Sequence, residues 1–252
     1  MNVLSIRNLK KTYKDKKAIN STEAINGIDL DINEGEFVGI MGPSGSGKTT
    51  LLNILSGIDK ATSGEIEILG KDINKSSRND MALFRRKYLG FVFQEFNLLD
   101  SLTLKENIML PLSLEGQDED EVEKKTQDMM RMLGILEAQD KYPYNVSGGQ
   151  QQRAAIGRAI INNPDILFAD EPTGNLDSKS SAVVMEHFEK INGIQKKTIV
   201  VVTHDPFTAS YCNRIVFIKD GVIDSKIEKK QGTREEFFEE ILHKLAVIGG
   251  RA

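Results

Sequence analysis

The residues best suited to chemistry form a glycine-rich run between an apolar segment and a helical one. Residues 42–49, GPSGSGKT, match G-x-x-x-x-G-K-[ST] at every fixed position. The glycines let successive backbone N–H groups converge on phosphate oxygens, and the helix that follows adds the positive end of its dipole. Lys48 can reach the β- and γ-phosphates, and the Thr49 hydroxyl can bind Mg²⁺. This run predicts a nucleoside triphosphate site with Mg²⁺, formed by Gly42, Ser44, Gly45, Ser46, Gly47, Lys48, Thr49 and Thr50.

Two acids follow another apolar run, residues 166–169, and form a second chemical group. They are Asp170 and Glu171. In a parallel sheet, ligands sit at the carboxyl ends of the strands. Asp170 can hold Mg²⁺ through its water shell, and Glu171 can polarise an attacking water as a general base. Adjacent acids after a strand are common, so the pair gains its weight from the glycine-rich run.

Two more side chains lie at the ends of predicted strands. His204 follows the apolar run 199–202 and can donate a hydrogen bond to a γ-phosphate, although a structural histidine is the alternative. Gln94 ends the predicted strand over residues 88–93, where its amide can contact Mg²⁺ or the attacking water. We therefore count Glu171, His204 and Gln94 as candidate catalytic residues, and Thr49, Gln94 and Asp170 as candidate metal ligands.

The elements that position these groups alternate between strand and helix. Polar–apolar alternation predicts half-buried strands over residues 3–9 and 24–32, and apolar runs predict buried strands. The apolar runs are 37–41, 166–169, 198–202 and 214–218, and residues 65–69 and 88–93 are further predicted strands. Residues 47–56 predict a helix, and the charged residues 14–23 an extended hairpin loop. Strands separated by helices imply parallel pairing and an α/β core.

Two helical segments lie outside this alternation. Residues 103–144 predict an insertion, with Asp118 and Glu121 spaced as a helix cap and its third residue. The apolar stripe of that helix consists of Val122, Met129, Met130 and Leu133. Residues 233–236, TREE, form a second capping pattern near the C-terminus. The helix after it carries an apolar stripe of Phe237, Phe238, Ile241, Leu242 and Leu245, which can pack on its own domain or on a partner.

Composition restricts the function classes. A net charge of −4, with both signs mixed along the chain, does not favour nucleic acid as a partner. Cys212, the single cysteine, allows no intramolecular disulfide, and we expect it to be a buried small residue. The chain begins without an apolar signal segment, and no window approaches the length of a membrane span. We expect a cytoplasmic protein, with His187 and His243 as surface residues of helices.

One further motif indicates a family. Residues 146–153, VSGGQQQR, precede a helical run, and their small hydroxyl and glycines expose donors that can bind a γ-phosphate. Here the chain closely resembles the ATP-binding cassette (ABC) family, whose signature loop has this Ser-Gly-Gly-Gln core. The resemblance implies that Ser147, Gly148, Gly149 and Gln150 bind ATP held by the opposite subunit. Two copies of the chain would then face each other head to tail.

The rest of the family pattern carries over to single residues. Tyr13 matches the aromatic residue that stacks on adenine, with an ordinary strand-edge tyrosine as the alternative. Gln94 matches the loop that couples to the membrane subunit, and Asp177 the loop that communicates between the two ATP sites. Val146 departs from the commoner leucine. The resemblance covers about residues 3–225.

The resemblance also implies a fold and its domains. We predict an α/β fold with a P-loop NTPase (RecA-like) core, an antiparallel β subdomain and an inserted helical subdomain. The predicted nucleotide-binding domain spans residues 1–227, with a catalytic core of 1–94 and 147–227 and a helical subdomain of 95–146. Residues 228–252 form the predicted C-terminal helical extension.

Residues 84–94 and 170–178 resemble the ATPases whose membrane partners work by transmembrane force transmission, a group that includes lipoprotein-extraction, macrolide-export and antimicrobial-peptide resistance systems. The C-terminal extension, together with residues 141–143, 205–206, 209–212 and 248–250, resembles one branch of that group, the bacitracin-type peptide-resistance ATPases. That resemblance implies a permease partner, reached through residues 95–99, a sensor histidine kinase behind it, and a place on the cytoplasmic face of the membrane. The alternatives are ATPases of lipoprotein-release, macrolide-export or cell-division complexes. A soluble ABC ATPase acting on DNA or ribosomes, and a regulatory module without turnover, are rivals from other classes.

Overall fold

The computed structural model describes residues 1–14 and 21–249. Its residues cluster into two compact units, Met1–Leu83 with Thr198–Ala252, and Phe84–Lys197. In chain order the strands are β1 (Asn2–Lys14), β2 (Ser21–Asn33), β3 (Phe37–Met41), β4 (Ser63–Ile68), β5 (Lys71–Asp72), β6 (Leu89–Val92), β7 (Ile166–Asp170), β8 (Thr198–Val202), β9 (Arg214–Lys219) and β10 (Val222–Glu228). The α-helices are α1 (Lys48–Leu55), α2 (Arg78–Tyr88), α3 (Leu104–Ser113), α4 (Glu119–Met132), α5 (Gly148–Ile160), α6 (Ser178–Gln195), α7 (Pro206–Ala209) and α8 (Arg234–Ile248).

The first unit contains an antiparallel sheet in the order β2-β1-β4-β5. The alternation in β1 buries Leu4, Ile6 and Leu9, as a strand with one covered face requires. This sheet is the predicted antiparallel β subdomain. The strand over residues 3–9 is confirmed, and it is longer than its apolar pattern indicated.

The same unit contains β3, the strand that precedes the glycine-rich loop, and β3 has parallel neighbours. β3 pairs in parallel with β8 on one side and with β9 on the other, and β10 completes this part antiparallel to β9. Every residue of β3 and β8 is buried. The predicted parallel α/β core is therefore confirmed for these strands.

Helix α8 packs within the first unit. Its predicted capping box forms, with Thr233 Oγ1 accepting from the Glu236 amide at 3.2 Å. Phe237 and Ile241 are buried, whereas Leu242 remains 38% exposed, so Leu242 does not belong to the packed stripe. Lys219 Nζ also donates to the last carbonyl of the helix at 2.9 Å. These contacts favour packing on its own domain for most of the stripe.

The second unit contains the parallel pair β6–β7 and helices α3 to α6. The predicted cap of α4 is confirmed, because the Asp118 carboxylate accepts from the amides of Asp120 and Glu121. Val122, Met130 and Leu133 are buried as predicted, and Met129 is half-buried. The helices expected over residues 103–144 are thus present, while the subdomain boundaries themselves stay a prediction.

Two local predictions differ from the structure. Residues 21–23 belong to β2 rather than to a loop, because Ser21 to Glu23 pair with β1 despite their polar side chains. The predicted loop residues 15–20 lie outside the described residues. Helix α2 was not predicted, although Met81 and Phe84 at helical spacing form its buried face. No helix in the described parts of the chain is long and apolar enough to cross a membrane.

Of the two predictions for helical histidines, one is confirmed and the other is wrong. His243 is exposed, as predicted. His187 is only 8% exposed, so its prediction as a surface residue is wrong. It lies on the buried face of α6 between Val184 and Ile191, at helical spacing, and its charged sequence neighbours point elsewhere. Burial, followed by the charges of Lys190 and Arg153, lowers the pKa of His187 to about 4.

This pKa predicts a pH-dependent loss of stability. The pKa in the folded protein, about 4, lies below the usual 6.5, so the unfolded chain binds more protons between these values. The contribution of neutral His187 to the free energy of unfolding is fully present above pH 6.5. It is lost as the pH falls from 6.5 towards about 4, by up to about 1.4 kcal/mol per pH unit. We expect His187→Gln to flatten this slope in denaturant unfolding measured at a series of pH values. His243→Gln is the control, and an unchanged slope in His187→Gln would contradict the assignment.

Candidate functional site

The glycine-rich loop joins the end of β3 to the start of α1. A Cβ at Gly42 would overlap the Ile218 carbonyl, and one at Gly47 would overlap the Ala24 carbonyl. Gly47 also caps α1 with a φ of 99°, which only glycine adopts without strain. The loop therefore follows a path that other residues would block. Ser44, Gly45 and Thr49 are exposed along it, and Thr50 is half-buried.

Lys48 lies over this loop rather than extending into solvent. Its Nζ donates to the carbonyls of Gly42 and Pro43, both at 2.9 Å, and the residue is 9% exposed. The two hydrogen bonds hold the ammonium group inside the curve of the loop. Ser46, beside it, is 3% exposed, and its Oγ has no partner among the described residues. The loop thus concentrates donors in one place, as a phosphate site requires.

Tyr13 is held near the loop in the first unit. Its hydroxyl donates to Asp59 Oδ2 at 2.8 Å, and Lys11 Nζ lies 4.6 Å from its ring centroid. Partial burial, followed by the hydrogen bond to Asp59, raises the pKa of Tyr13. The Thr50 side chain opposes this shift and lowers the pKa of Tyr13. The residue is 44% exposed, so an aromatic surface remains open to a ligand.

His204 follows β8 and shares the carboxyl edge of β3. The Thr203 amide donates to the Ile40 carbonyl at 3.1 Å, which extends the pairing of β3 and β8 to the residue before His204. Asp205, after it, caps α7 by accepting from the amides of Phe207 and Thr208. The backbone on each side of His204 is therefore held by hydrogen bonds, while the His204 side chain itself is exposed. The structure brings His204 and the glycine-rich loop to one edge of the first unit's parallel strands.

In the second unit, the two predicted acids follow β7. Asp170 ends the strand and is half-buried. Glu171 has a φ of 46°, a left-handed conformation that is uncommon for residues other than glycine, asparagine and aspartate. The Gly174 amide donates to the Glu171 carbonyl at 3.0 Å and closes a turn there. Such backbone strain is found at functional sites, where surrounding contacts hold it.

Gln94 is joined to the loop that precedes α6. Its Nε2 donates to Asn175 Oδ1 at 3.3 Å, and Asn175 Nδ2 donates back to the Gln94 carbonyl at 3.1 Å. Asp177 then caps α6 by accepting from the Lys179 and Ser180 amides, both at 3.0 Å. Backbone donation from Ser180 is the main cause that lowers the pKa of Asp177. Sequence reasoning singled out Gln94 and Asp177 but missed Asn175, which links their loops.

The signature residues form the N-terminus of α5. Ser147 Oγ accepts from the Gln150 amide at 3.3 Å, and Gln150 Oε1 accepts from the Ser147 amide at 3.0 Å, a complete capping box. Ser147 is exposed and Gly148 half-buried. A Cβ at Gly149 would lie 2.9 Å from Ser180 Oγ, so this glycine lets α5 and α6 approach closely. The structure therefore presents an ordered helix N-terminus with an exposed hydroxyl, which favours anions.

Comparisons with known proteins agree with this geometry. The model of the ABC transporter family matches residues 25–174. The chain is 49% identical to the bacitracin export ATP-binding protein BceA of Halalkalibacterium halodurans, over 99% of this chain and 98% of the relative. The chain belongs to the ABC transporter family. It is an ATP-binding ATPase subunit with the P-loop NTPase fold.

Two further relatives bear on the activity. The macrolide export ATP-binding/permease protein MacB of Syntrophobacter fumaroxidans is 45% identical over 89% of this chain, which spans 31% of that relative. A solved dimer of the ATP-binding cassette MJ0796 of Methanocaldococcus jannaschii, in a post-hydrolysis state with ADP and Pi, superposes with a TM-score of 0.84. It is 40% identical and covers 91% of this chain and all of its own.

The buried position of Lys48 predicts that its loss removes turnover. Lys48→Ala deletes the ammonium group inside the loop, and we expect ATPase activity to fall about a hundredfold or more, in line with the loss of a charge-stabilising donor. Lys124→Ala, on the exposed side of α4, is the control. Phosphate release from the purified chain measures both, and near-normal release from Lys48→Ala would contradict the assignment.

Proposed function

We propose that the chain hydrolyses ATP as a head-to-tail dimer and that this dimer drives a membrane permease. The observation that carries the proposal is the capped, exposed N-terminus of α5 at Ser147. Its donors point outward from an ordered helix, so they suit a phosphate brought by a second copy. The dimeric form of the solved cassette MJ0796 supports this arrangement.

The candidate residues have complementary roles in the proposed reaction. Lys48 and the loop amides bind the β- and γ-phosphates of ATP. The Thr49 hydroxyl, the Asp170 carboxylate and the Gln94 amide are hard oxygen ligands that fit Mg²⁺, an ion that usually takes one or two carboxylates plus substrate phosphates. When bound, Mg²⁺ neutralises charge on the phosphates.

Glu171 is the proposed general base. Its carboxylate follows a buried strand, and its left-handed backbone is held by the turn to Gly174. His204 is the proposed donor to the γ-phosphate, because it extends from the edge that also bears the phosphate loop. For water to attack the γ-phosphate, a base must lie within hydrogen-bonding distance of the water, and a donor must hydrogen-bond to the phosphate oxygens.

The dimer completes each site in this proposal. Ser147, Gly148, Gly149 and Gln150 of one copy bind the γ-phosphate held by the other. Ser180 lies against Gly149 and donates from its amide and hydroxyl to Asp177, the cap of α6. A shift at the signature helix would therefore reach Asp177 through Ser180. ATP then favours the closed dimer by binding it better than the open one, and hydrolysis removes that preference.

Tyr13 is the proposed adenine contact. Its hydroxyl is anchored by Asp59 while 44% of the residue stays exposed. An anchored ring loses little freedom when a base stacks on it, and such stacking contributes about 1–3 kcal/mol per base. The alternative is that the ring serves only the contact with Lys11.

The proposed permease contact is the segment of residues 95–99 after Gln94. Phe96 and Asn97 both have positive φ, 60° and 49°, and Arg158 donates to their carbonyls at 3.0 and 2.6 Å. At the other end, the buried Asn107 side chain accepts from the Leu99 amide at 2.8 Å. Because hydrogen bonds hold the loop at both ends, a push on residues 95–99 would be passed to α5 through Arg158 and to α3 through Asn107. With the permease as its partner, the proposed location of the chain is the cytoplasmic face of the membrane.

The proposed cargo is a bacitracin-like peptide antibiotic, supported by 49% identity to a bacitracin export ATP-binding protein over nearly the whole chain. In that branch the permease would also connect to a sensor histidine kinase. The likeness to a macrolide export protein supports the alternative of a related export, lipoprotein-release or cell-division complex. The net charge of −4 disfavours the rival role on DNA or ribosomes.

The dimer mechanism makes a specific prediction for Glu171→Gln. Loss of the base should slow phosphate release about a hundredfold or more, whereas ATP binding remains and closed dimers accumulate. Turnover and ATP-dependent dimer formation by size-exclusion chromatography measure the two effects. Glu189→Gln, an exposed acid on α6, is the control. Rapid phosphate release from Glu171→Gln would reject Glu171 as the base.

The cargo proposal predicts which compound stimulates the complex. The chain, purified from membranes of its own cells with its permease and placed in lipid, should hydrolyse ATP faster when a bacitracin-like peptide is added. A macrolide is the control compound. Stimulation by the macrolide alone would favour the alternative branch, and recovery with ribosomes or DNA but no membrane protein would reject the transport role.

A further inference from the structure

Gln152 is a polar residue in the interior of the second unit. It lies in α5, on the helical turn after Ser147, and its relative exposure is 0%. The preceding residue, Gln151, has the same side chain but is half-buried, and its Nε2 reaches only the Val146 carbonyl at 3.4 Å. The two neighbours thus have the same chemistry in different surroundings.

The Gln152 amide contacts two backbone carbonyls that border proposed catalytic residues. Its Nε2 donates to the Pro172 carbonyl at 2.5 Å and to the Phe93 carbonyl at 3.4 Å. Pro172 directly follows Glu171, and Phe93 directly precedes Gln94. One nitrogen therefore ties the signature helix to the base loop and to the loop of the proposed permease contact.

The orientation of the amide follows from its partners. A carbonyl oxygen only accepts hydrogen bonds, so the NH₂ group must face Pro172 and Phe93. Gln152 Oε1 then has no donor among the described residues, and a buried acceptor without a donor costs free energy. A methionine of similar length would fill the space without that cost. Packing alone therefore does not account for an amide here, whereas its donor role does.

We propose that Gln152 is a positioning residue for hydrolysis, which sets the backbone at Glu171 and Gln94 relative to α5. The proposal rests on the proposed role of Glu171 as the base. Glu171 has a left-handed backbone, and the hydrogen bond to the Pro172 carbonyl restrains the Pro172–Thr173 peptide, one residue beyond Glu171. Because the same amide also reaches the residue before Gln94, a displacement of that loop changes the restraint on Glu171.

The first test is Gln152→Met in the full-length chain, with Gln151→Met as the matched control. We expect kcat for ATP to fall at least about tenfold while KM stays within about twofold, because one lost interaction worth about 1.4 kcal/mol in the transition state alone gives this pattern. KM is expected to persist because the phosphate loop and Tyr13 belong to the other compact unit. Gln151→Met should change neither value. A normal kcat in Gln152→Met, or an equal loss in Gln151→Met, would overturn the proposal.

A double-mutant cycle separates this proposal from the role of Glu171. If Gln152 acts through Glu171, adding Gln152→Met to Glu171→Gln should cause little further loss of kcat. Losses that multiply would show that Gln152 acts elsewhere, which overturns the proposal. Normal turnover in Glu171→Gln alone would reject the base itself, and with it the route proposed for Gln152.

A pH profile of kcat for Gln152→Glu tests the donor role even if the fold does not accept methionine at position 152. The introduced carboxyl group can donate one hydrogen bond when protonated and none when ionised. We therefore expect kcat relative to the unchanged protein to recover as the pH falls. The donor role would be contradicted if the ratio of the two kcat values did not change with pH, or if it decreased as the pH fell.

Discussion

Parallel pairing between β3 and β8 runs in register from Phe37 opposite Ile199 to Ile40 opposite Val202. All residues of both strands are buried, and each large apolar side chain removed from water contributes about 1.5–3 kcal/mol. A shift of register would displace these side chains from the packing positions they fill. The phosphate loop and His204 follow directly from the ends of these strands. Their common edge is thus a consequence of core packing rather than of any attraction between the functional groups.

The second unit depends on α5 in a comparable way. Its N-terminus presents the signature residues, its buried Gln152 contacts the base loop, and its Arg158 supports the strained Phe96 and Asn97. Glu171, Phe96 and Asn97 are among the left-handed residues of this unit, which also include Asn163 and Lys196, and side chains of α5 contact the main chain at or beside the first three. Strain of this kind persists when neighbouring contacts over-determine it. A single helix therefore links the loop proposed for hydrolysis to the loop proposed for coupling.

Relatives with similar ATPase cassettes are named for different cargoes, a peptide antibiotic in one case and macrolides in another. In the proposed mechanism the phosphate loop, the acids after β7 and the capped α5 all act on ATP, and none of these groups needs to distinguish a cargo. This division fits a chain that supplies energy while a separate membrane protein selects what is moved. It also explains how one chemistry supports many transport functions on a common fold.

The sequence by itself determined the phosphate loop, the signature and the buried strands, because those features are local. Glycines at set spacings, a capping box and an uninterrupted apolar run each specify a conformation within a few residues. The tertiary structure alone decided which polar residues turn inward. Gln150, Gln151 and Gln152 are identical in type. Only Gln152 is fully buried, because α5 packs with this side chain against the Phe93 and Pro172 carbonyls. His187 is buried because the face of α6 that also carries Val184 and Ile191 packs inward, and residues 21–23 are a strand because β1 supplies their hydrogen-bond partners. Which polar side chains turn inward, and which strands pair, depend on contacts with segments distant in sequence.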